Sequence, residues 1–138
     1  MKTLPNLHEP YTACRGLLAI VLLTFIASTA VAGKLVGGQS ETQPADDKVE
    51  GIAKKVQSAI TQRVEADNYA VTQYTAISYR TQLVNGINYF IKIRVNDDPS
   101  TGYVHARVFQ SFGGNSELVG LETGHSLEDP IGFVETFL

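Results

Sequence analysis

The strongest pattern along the chain has the period of a helix. Val49, Ile52, Ala53, Val56, Ile60 and Val64 recur at intervals of three and four, with Lys, Gln, Arg and Glu between them. That spacing lays one apolar stripe along one long helix ending between Glu65 and Asn68. Asp46 and Asp47 stand at its start, where negative charge meets the positive end of the helix dipole. Pro44 suits a first turn, whose amides have no carbonyl partner anyway. Gly51 lies inside the pattern at a cost of about 1 kcal/mol relative to alanine, and the pattern gives no reason for it.

Beyond the helix the period changes to two. Residues 71–84 are rich in Tyr, Thr, Ile and Val, with Thr75, Ile77, Tyr79 and Thr81 on one face. Residues 87–95 alternate cleanly. Ile87, Tyr89, Ile91, Ile93 and Val95 point one way; Asn88, Phe90, Lys92 and Arg94 point the other. Asn85 and Gly86 between them predict a two-residue hairpin turn with positive φ at both positions. A turn-rich loop at 96–102 leads to a strand over 103–111 with Val104, Ala106 and Val108 inward. Gly113, Gly114 and Asn115 form the next turn, and 118–123 a last, short strand. Asp129-Pro130 and Gly132 break the tail, leaving Phe133 and Phe137 as its anchors. The sum is α+β: one long helix cradled by an antiparallel sheet of four to five strands, each covering the other's apolar face.

The segment before residue 33 has another character. Residues 16–32 carry no charge, follow Arg15 and end in Ala30-Val31-Ala32, the small-x-small pattern of a secretory signal peptide. The expectation is a leader over 1–32, an exported domain over 33–138, and a secreted or endolysosomal location. An uncleaved membrane anchor is the alternative, kept open by the long stretch containing Pro5 and Pro10. Cys14, the single cysteine, belongs to this segment, so the exported domain has neither a disulfide nor a thiol nucleophile.

Composition removes several classes of function. A chain of 138 residues with 43% hydrophobic and 18% charged side chains is a single folded domain, not a disordered one. Its net charge of -3 argues against a nucleic-acid partner. It contains no His-Glu-x-x-His, Gly-x-Ser-x-Gly or phosphate-cradling glycine loop. His105 and His125 read as strand or surface histidines. The pairs Asp46-Asp47, Asp97-Asp98 and Glu128-Asp129 read as caps and solvated loops. The expectation is a protein without enzymatic activity, cofactor or metal.

The sequence Gln82-Leu83-Val84-Asn85-Gly86 matches the Gln-x-Val-x-Gly pattern of cystatins, inhibitors of papain-like cysteine proteases. Its flanks, Ala76-Ile77-Ser78-Tyr79-Arg80-Thr81 and Asn88-Tyr89-Phe90-Ile91-Lys92-Ile93, resemble stefins, the disulfide-free type 1 branch. So do Val104-His105-Ala106-Arg107-Val108-Phe109-Gln110-Ser111 and the run from Val36 to Ala45. The likeness spans residues 35–133. It implies a reversible inhibitor whose partners are papain and cathepsin-type proteases, blocked by a wedge of three pieces. These are a trunk of Leu35 and Val36 pivoting on Gly37 or Gly38, a first hairpin of Gln82, Leu83, Val84, Asn85 and Gly86, and a second of Phe112, Gly113 and Gly114. Physically, a tight hairpin holds Val84 preorganised toward solvent, Gly86 permits close backbone approach, and the trunk can lie extended in a groove.

Three features depart from the stefin pattern. The chain has a leader, the second hairpin has Phe112-Gly113 in place of Leu-Pro, and the last strand is short. Asn68 is the one candidate for the legumain-binding asparagine of some secreted cystatins, and its surroundings do not match. The competing reading is a non-inhibitory interaction module on the same fold. The expected state is a monomer, with a domain-swapped dimer as the alternative.

Overall fold

The helical stripe is buried as its spacing requires: Val49, Ile52, Ala53, Val56, Ile60 and Val64 are each no more than 5% exposed. The computed structural model describes residues 38–138; the apolar leader, Cys14, Leu35, Val36 and Gly37 lie outside them. The elements are β1 (Gln43–Pro44), α1 (Asp47–Lys55), α2 (Gln57–Ala66), β2 (Thr75–Val84), β3 (Gly86–Arg94), β4 (Tyr103–Gln110) and β5 (Ser116–His125). The strands form one antiparallel sheet in sequence order. Its inner face meets the helical stripe through Ala76, Tyr89, Ile91, Ile93, Val104, Ala106 and Val108. Among the described residues no helix is long and apolar enough to cross a membrane.

The helix ends at Ala66, within the predicted range, but differs from its prediction at its start and in the middle. Pro44 is not in its first turn but in β1, opposite Ser78. Asp46 is the N-cap, its carboxylate accepting the Val49 amide at 2.9 Å. The helix is also interrupted at Val56. There the amide turns back to the Ala53 carbonyl at 3.3 Å, and the Tyr74 hydroxyl donates to that same carbonyl at 2.6 Å. The tightened turn keeps Val56 inside, so the stripe continues across the break. At the far end Asn68 takes a φ of 66°, left-handed backbone that asparagine tolerates well.

β2 begins at Thr75 instead of residue 71 and does not keep the predicted face. Ile77 and Ser78 together oppose Lys92, a bulge that places Ala76 beside Ile93 and Tyr79 beside Ile91. Ala76 is therefore the buried residue, and Thr75 is exposed. The alternation of β3 and β4 holds as predicted. β5 is not short: it runs ten residues, with register shifts opposite β4.

The outer face of the sheet is covered by the carboxy-terminal tail. Phe90 is fully buried there against Ile131 and Val134. Ile131 and Val134 are the buried anchors of the tail; Phe133, 51% exposed, packs its ring against Phe90 with centroids 5.8 Å apart and beneath the Arg107 guanidinium. Phe137, also predicted as an anchor, is half-buried beneath the Arg63 guanidinium. Three outer-face cations hold the tail by its backbone. Arg80 donates to the Ile131 carbonyl at 2.8 Å, and Arg107 to that of Val134 at 3.0 Å. Lys92 donates to those of Leu127 and Asp129. Burial pulls the Lys92 amine below its ordinary pKa, while the nearby Asp129 and Glu128 carboxylates oppose that shift.

Candidate functional site

Strand order alone brings three segments to one end of the sheet. β2 and β3 are joined at Asn85, and Ile87 at the start of β3 lies opposite Gln110 at the end of β4. The turn between β4 and β5, residues 111–115, therefore sits beside the first hairpin. The incoming chain runs antiparallel to β2. The Ser40 amide bonds the Thr81 carbonyl at 2.7 Å and the Thr81 amide bonds the Ser40 hydroxyl at 2.9 Å. Ser40 is thus held beside Thr81, next to the first hairpin motif.

The first hairpin is tighter than predicted. Val84 pairs with Gly86 and leaves Asn85 alone at the tip. Only Gly86 has a positive φ, 130°; Asn85 does not. The cause lies across the sheet. A Cβ at Gly86 would fall 2.6 Å from the Phe109 ring and 2.7 Å from the Gln110 carbonyl oxygen. Gly86 is buried, and the close approach it permits within the chain is to β4. Gln82 stands opposite Asn88, whose amide donates to the Gln82 carboxamide oxygen at 3.2 Å and braces the base of the hairpin. The residues left to solvent are Leu83, 74% exposed, Val84, 44% exposed, and Asn85.

The second hairpin has no proline to stiffen it. Two backbone bonds close it instead: Ser111 amide to Asn115 carbonyl at 2.9 Å, and Gly114 amide to Ser111 carbonyl at 3.0 Å. Gly114 takes a φ of 93°, which a side chain would strain. This geometry pushes Phe112 outward, 74% exposed, with Gly113 and Gly114 beside it. Gly38, the first described residue, is exposed. Leu35, Val36 and Gly37 lie outside the described residues. Asn68 precedes β2 and so lies at the end of the sheet away from the hairpin tips.

Arg80 is the functional residue that motif reading passed over. Its Nε donates to the Ser40 carbonyl at 2.8 Å while its Nη1 holds Ile131. Gln39 adds a bond to the Gly132 carbonyl at 3.1 Å. One guanidinium therefore ties the incoming arm to the tail, two residues from the first hairpin motif. The available signal was a cation on the outer-face alternation of β2, next to Gln82.

Neither tip, residues 82–86 or 111–115, contains a charged side chain. Docking this edge into a cleft would desolvate apolar groups and a few amides, with no ionic penalty. The tips offer hydrogen-bonding groups and exposed apolar surface, the groups that serve binding.

A helix cradled by an antiparallel sheet, with two uncharged hairpins at one edge, is the cystatin-like α+β fold. The comparisons agree. A cystatin domain model matches residues 37–125. Cystatin-A2 of Dictyostelium discoideum is 37% identical over 98 residues, covering 71% of this chain and 96% of that protein. Cystatin-B of Bos taurus is 40% identical over 87 residues, covering 63% and 83%. Leukocyte cysteine proteinase inhibitor 1 of Sus scrofa is 34% identical over 100 residues, covering 70% and 91%. The chain belongs to the cystatin family, as a stefin-like member.

Proposed function

We propose that the protein is an exported, reversible, tight-binding inhibitor of papain-like cysteine proteases that blocks the active-site cleft with its trunk and two hairpins. The observation that carries this reading is the pair Leu83 and Phe112, each 74% exposed, on two braced hairpins side by side at one end of the sheet. Large apolar side chains left in water on a preorganised frame suit an interface core, because little freedom remains to be lost on docking. The trunk adds main-chain bonding along a groove. No bond of the inhibitor need break, so the block is reversible. The uncharged run over 16–32 supports export.

Titrating papain with the purified protein, and following residual hydrolysis of a small fluorogenic substrate, tests the proposal. One-to-one inhibition, reversed on dilution, is expected. Val84→Asp should weaken it by at least about tenfold, since a buried carboxylate at a hot-spot position costs more than about 1.4 kcal/mol. Phe112→Ala should weaken it with folding stability within about 0.5 kcal/mol of the parent. A folded sample that leaves papain active at micromolar concentration would instead favour the interaction-module reading, to which the proline-free second hairpin lends support. The mass of the exported chain tests cleavage after Ala32.

A further inference from the structure

We propose that His105, Glu122 and His125 form a binding site for a divalent transition-metal ion of the zinc class, on the outer face of the sheet and apart from the docking edge. His105 is fully buried, yet neither of its ring nitrogens has a hydrogen-bond partner. Buried imidazole nitrogens are rarely left so, and an orphaned pair calls for a ligand or a reason. His125 stacks on it, with ring centroids 3.9 Å apart and planes inclined by 14°. Ligand atoms of His105, Glu122 and His125 all lie within 4.8 Å of one another.

The backbone is shaped to bring these groups together. Glu122 pairs with His105 and His125 pairs with Tyr103, so two residues of β5, Thr123 and Gly124, oppose Val104 alone. Without that bulge Glu122 and His125, three apart, would point to opposite faces. Gly124 makes the bulge with a φ of 72°.

Hydrogen bonding around His125 points the same way. Its Nδ1 is 2.9 Å from Asp129 Oδ2; a proton held there on Nδ1 would leave the Nε2 lone pair for a metal ion. That Nε2 lies 3.1 Å from Glu122 Oε1. A metal ion placed between Nε2 and Oε1 would bond both. A zinc-class ion bonds imidazole nitrogen and carboxylate oxygen at about 2.0–2.2 Å, compatible with that separation. Asp129 then acts as the orienting group. Glu122 and Asp129 supply negative charge against the neighbouring Lys92 amine, whose protons are committed to the Leu127 and Asp129 carbonyls. The side chains of His125 and Glu122 are 26% and 42% exposed, which leaves an entry path.

The test is a titration of the tag-free protein with Co2+ and then Zn2+, reading the cobalt visible absorption and the thermal unfolding midpoint. One equivalent of Co2+ should bind saturably, be displaced by Zn2+, and raise the midpoint. Glu122→Gln and His125→Gln replace part-exposed side chains without opening the core, and each should abolish that binding in a protein with unchanged circular dichroism. Asp129→Asn should weaken it about 10–100-fold. Absence of saturable binding up to millimolar metal would overturn the assignment, as would binding that persists undiminished in both the Glu122→Gln and the His125→Gln variants. Protease inhibition plays no part in the readout, so the site stands or falls independently of the proposed function.

Discussion

Gly86 and Phe109 are packed so that the aromatic ring occupies the space a side chain at 86 would need, with the Phe109 Cζ 2.6 Å from the position of a Cβ. Through this contact the first hairpin leans on β4 and hence on the root of the second. Gly86→Ala adds that clash to a φ of 130°. It should cost at least about 2 kcal/mol in a denaturant titration. Inhibition should fall more than the loss of folded protein explains, because both hairpins move.

Arg80 joins the segment entering β1 to the carboxy-terminal tail, at 2.8 Å to each of Ser40 and Ile131, beside the Gln39 bond to Gly132. Arg80→Met should destabilise the fold by about 2–3 kcal/mol, the scale of charge-assisted hydrogen bonds lost together. Truncation up to Gly38 should then reduce protease affinity less in the Arg80→Met background than in the parent. A double-mutant cycle on inhibition constants measures that coupling, and strict additivity would refute a role for Arg80 in aiming the trunk.

Gly51 is exposed in α1, and a Cβ there would meet nothing within 4 Å. Nothing in the structure explains the glycine. Gly51→Ala should therefore stabilise the protein by about 1 kcal/mol, seen as a higher denaturation midpoint with inhibition unchanged.

Burial raises the Tyr74 phenol above its ordinary pKa of 10.0. Its hydroxyl must keep its proton to donate to Ala53. The unfolded chain releases that proton near pH 10 while the folded chain holds it. This contribution to stability is therefore complete below pH 10 and lost as the pH rises further. At neutral pH Tyr74→Phe should be less stable by about 1 kcal/mol. Above pH 10 the gap between parent and variant should narrow, which denaturant midpoints across the alkaline range would show.

What was legible in the sequence was whatever a single period encodes. The stripe from Val49 to Val64 and the alternation of β3 and β4 needed only local spacing, and the structure buries those side chains. The places that resisted are decided by contacts distant in sequence. Val56 departs from regular helix where Tyr74 joins its amide on the Ala53 carbonyl. The bulge at Ile77 switches which residues of β2 face the core. The Asn85-Gly86 turn was rightly located, but its shape is set by Phe109 across the sheet. The tail lacks periodicity, so Ile131 and Val134 could not be told from Phe133 and Phe137 before Phe90 and the outer-face cations were in place. At the proposed docking edge, the exposure of Leu83, Val84 and Phe112 was legible because turn chemistry sets it, whereas Arg80 bonds the carbonyls of residues far along the chain.

Both margins of the sheet are closed by the protein's own ends. On one side β1 is two residues long and includes Pro44, which has no amide hydrogen to lend a neighbour. On the other, the Phe137 amide bonds the Val119 carbonyl at 2.8 Å, and the Glu135 carbonyl lies against Gly120, so close that a Cβ there has no room. The last residues of the chain thus serve as a guard against strand-to-strand polymerisation. Colloidal behaviour is thereby tied to the carboxy terminus: a chain clipped before Glu135 would uncover part of the β5 margin while leaving the hairpins intact, and it would self-associate before it stopped binding.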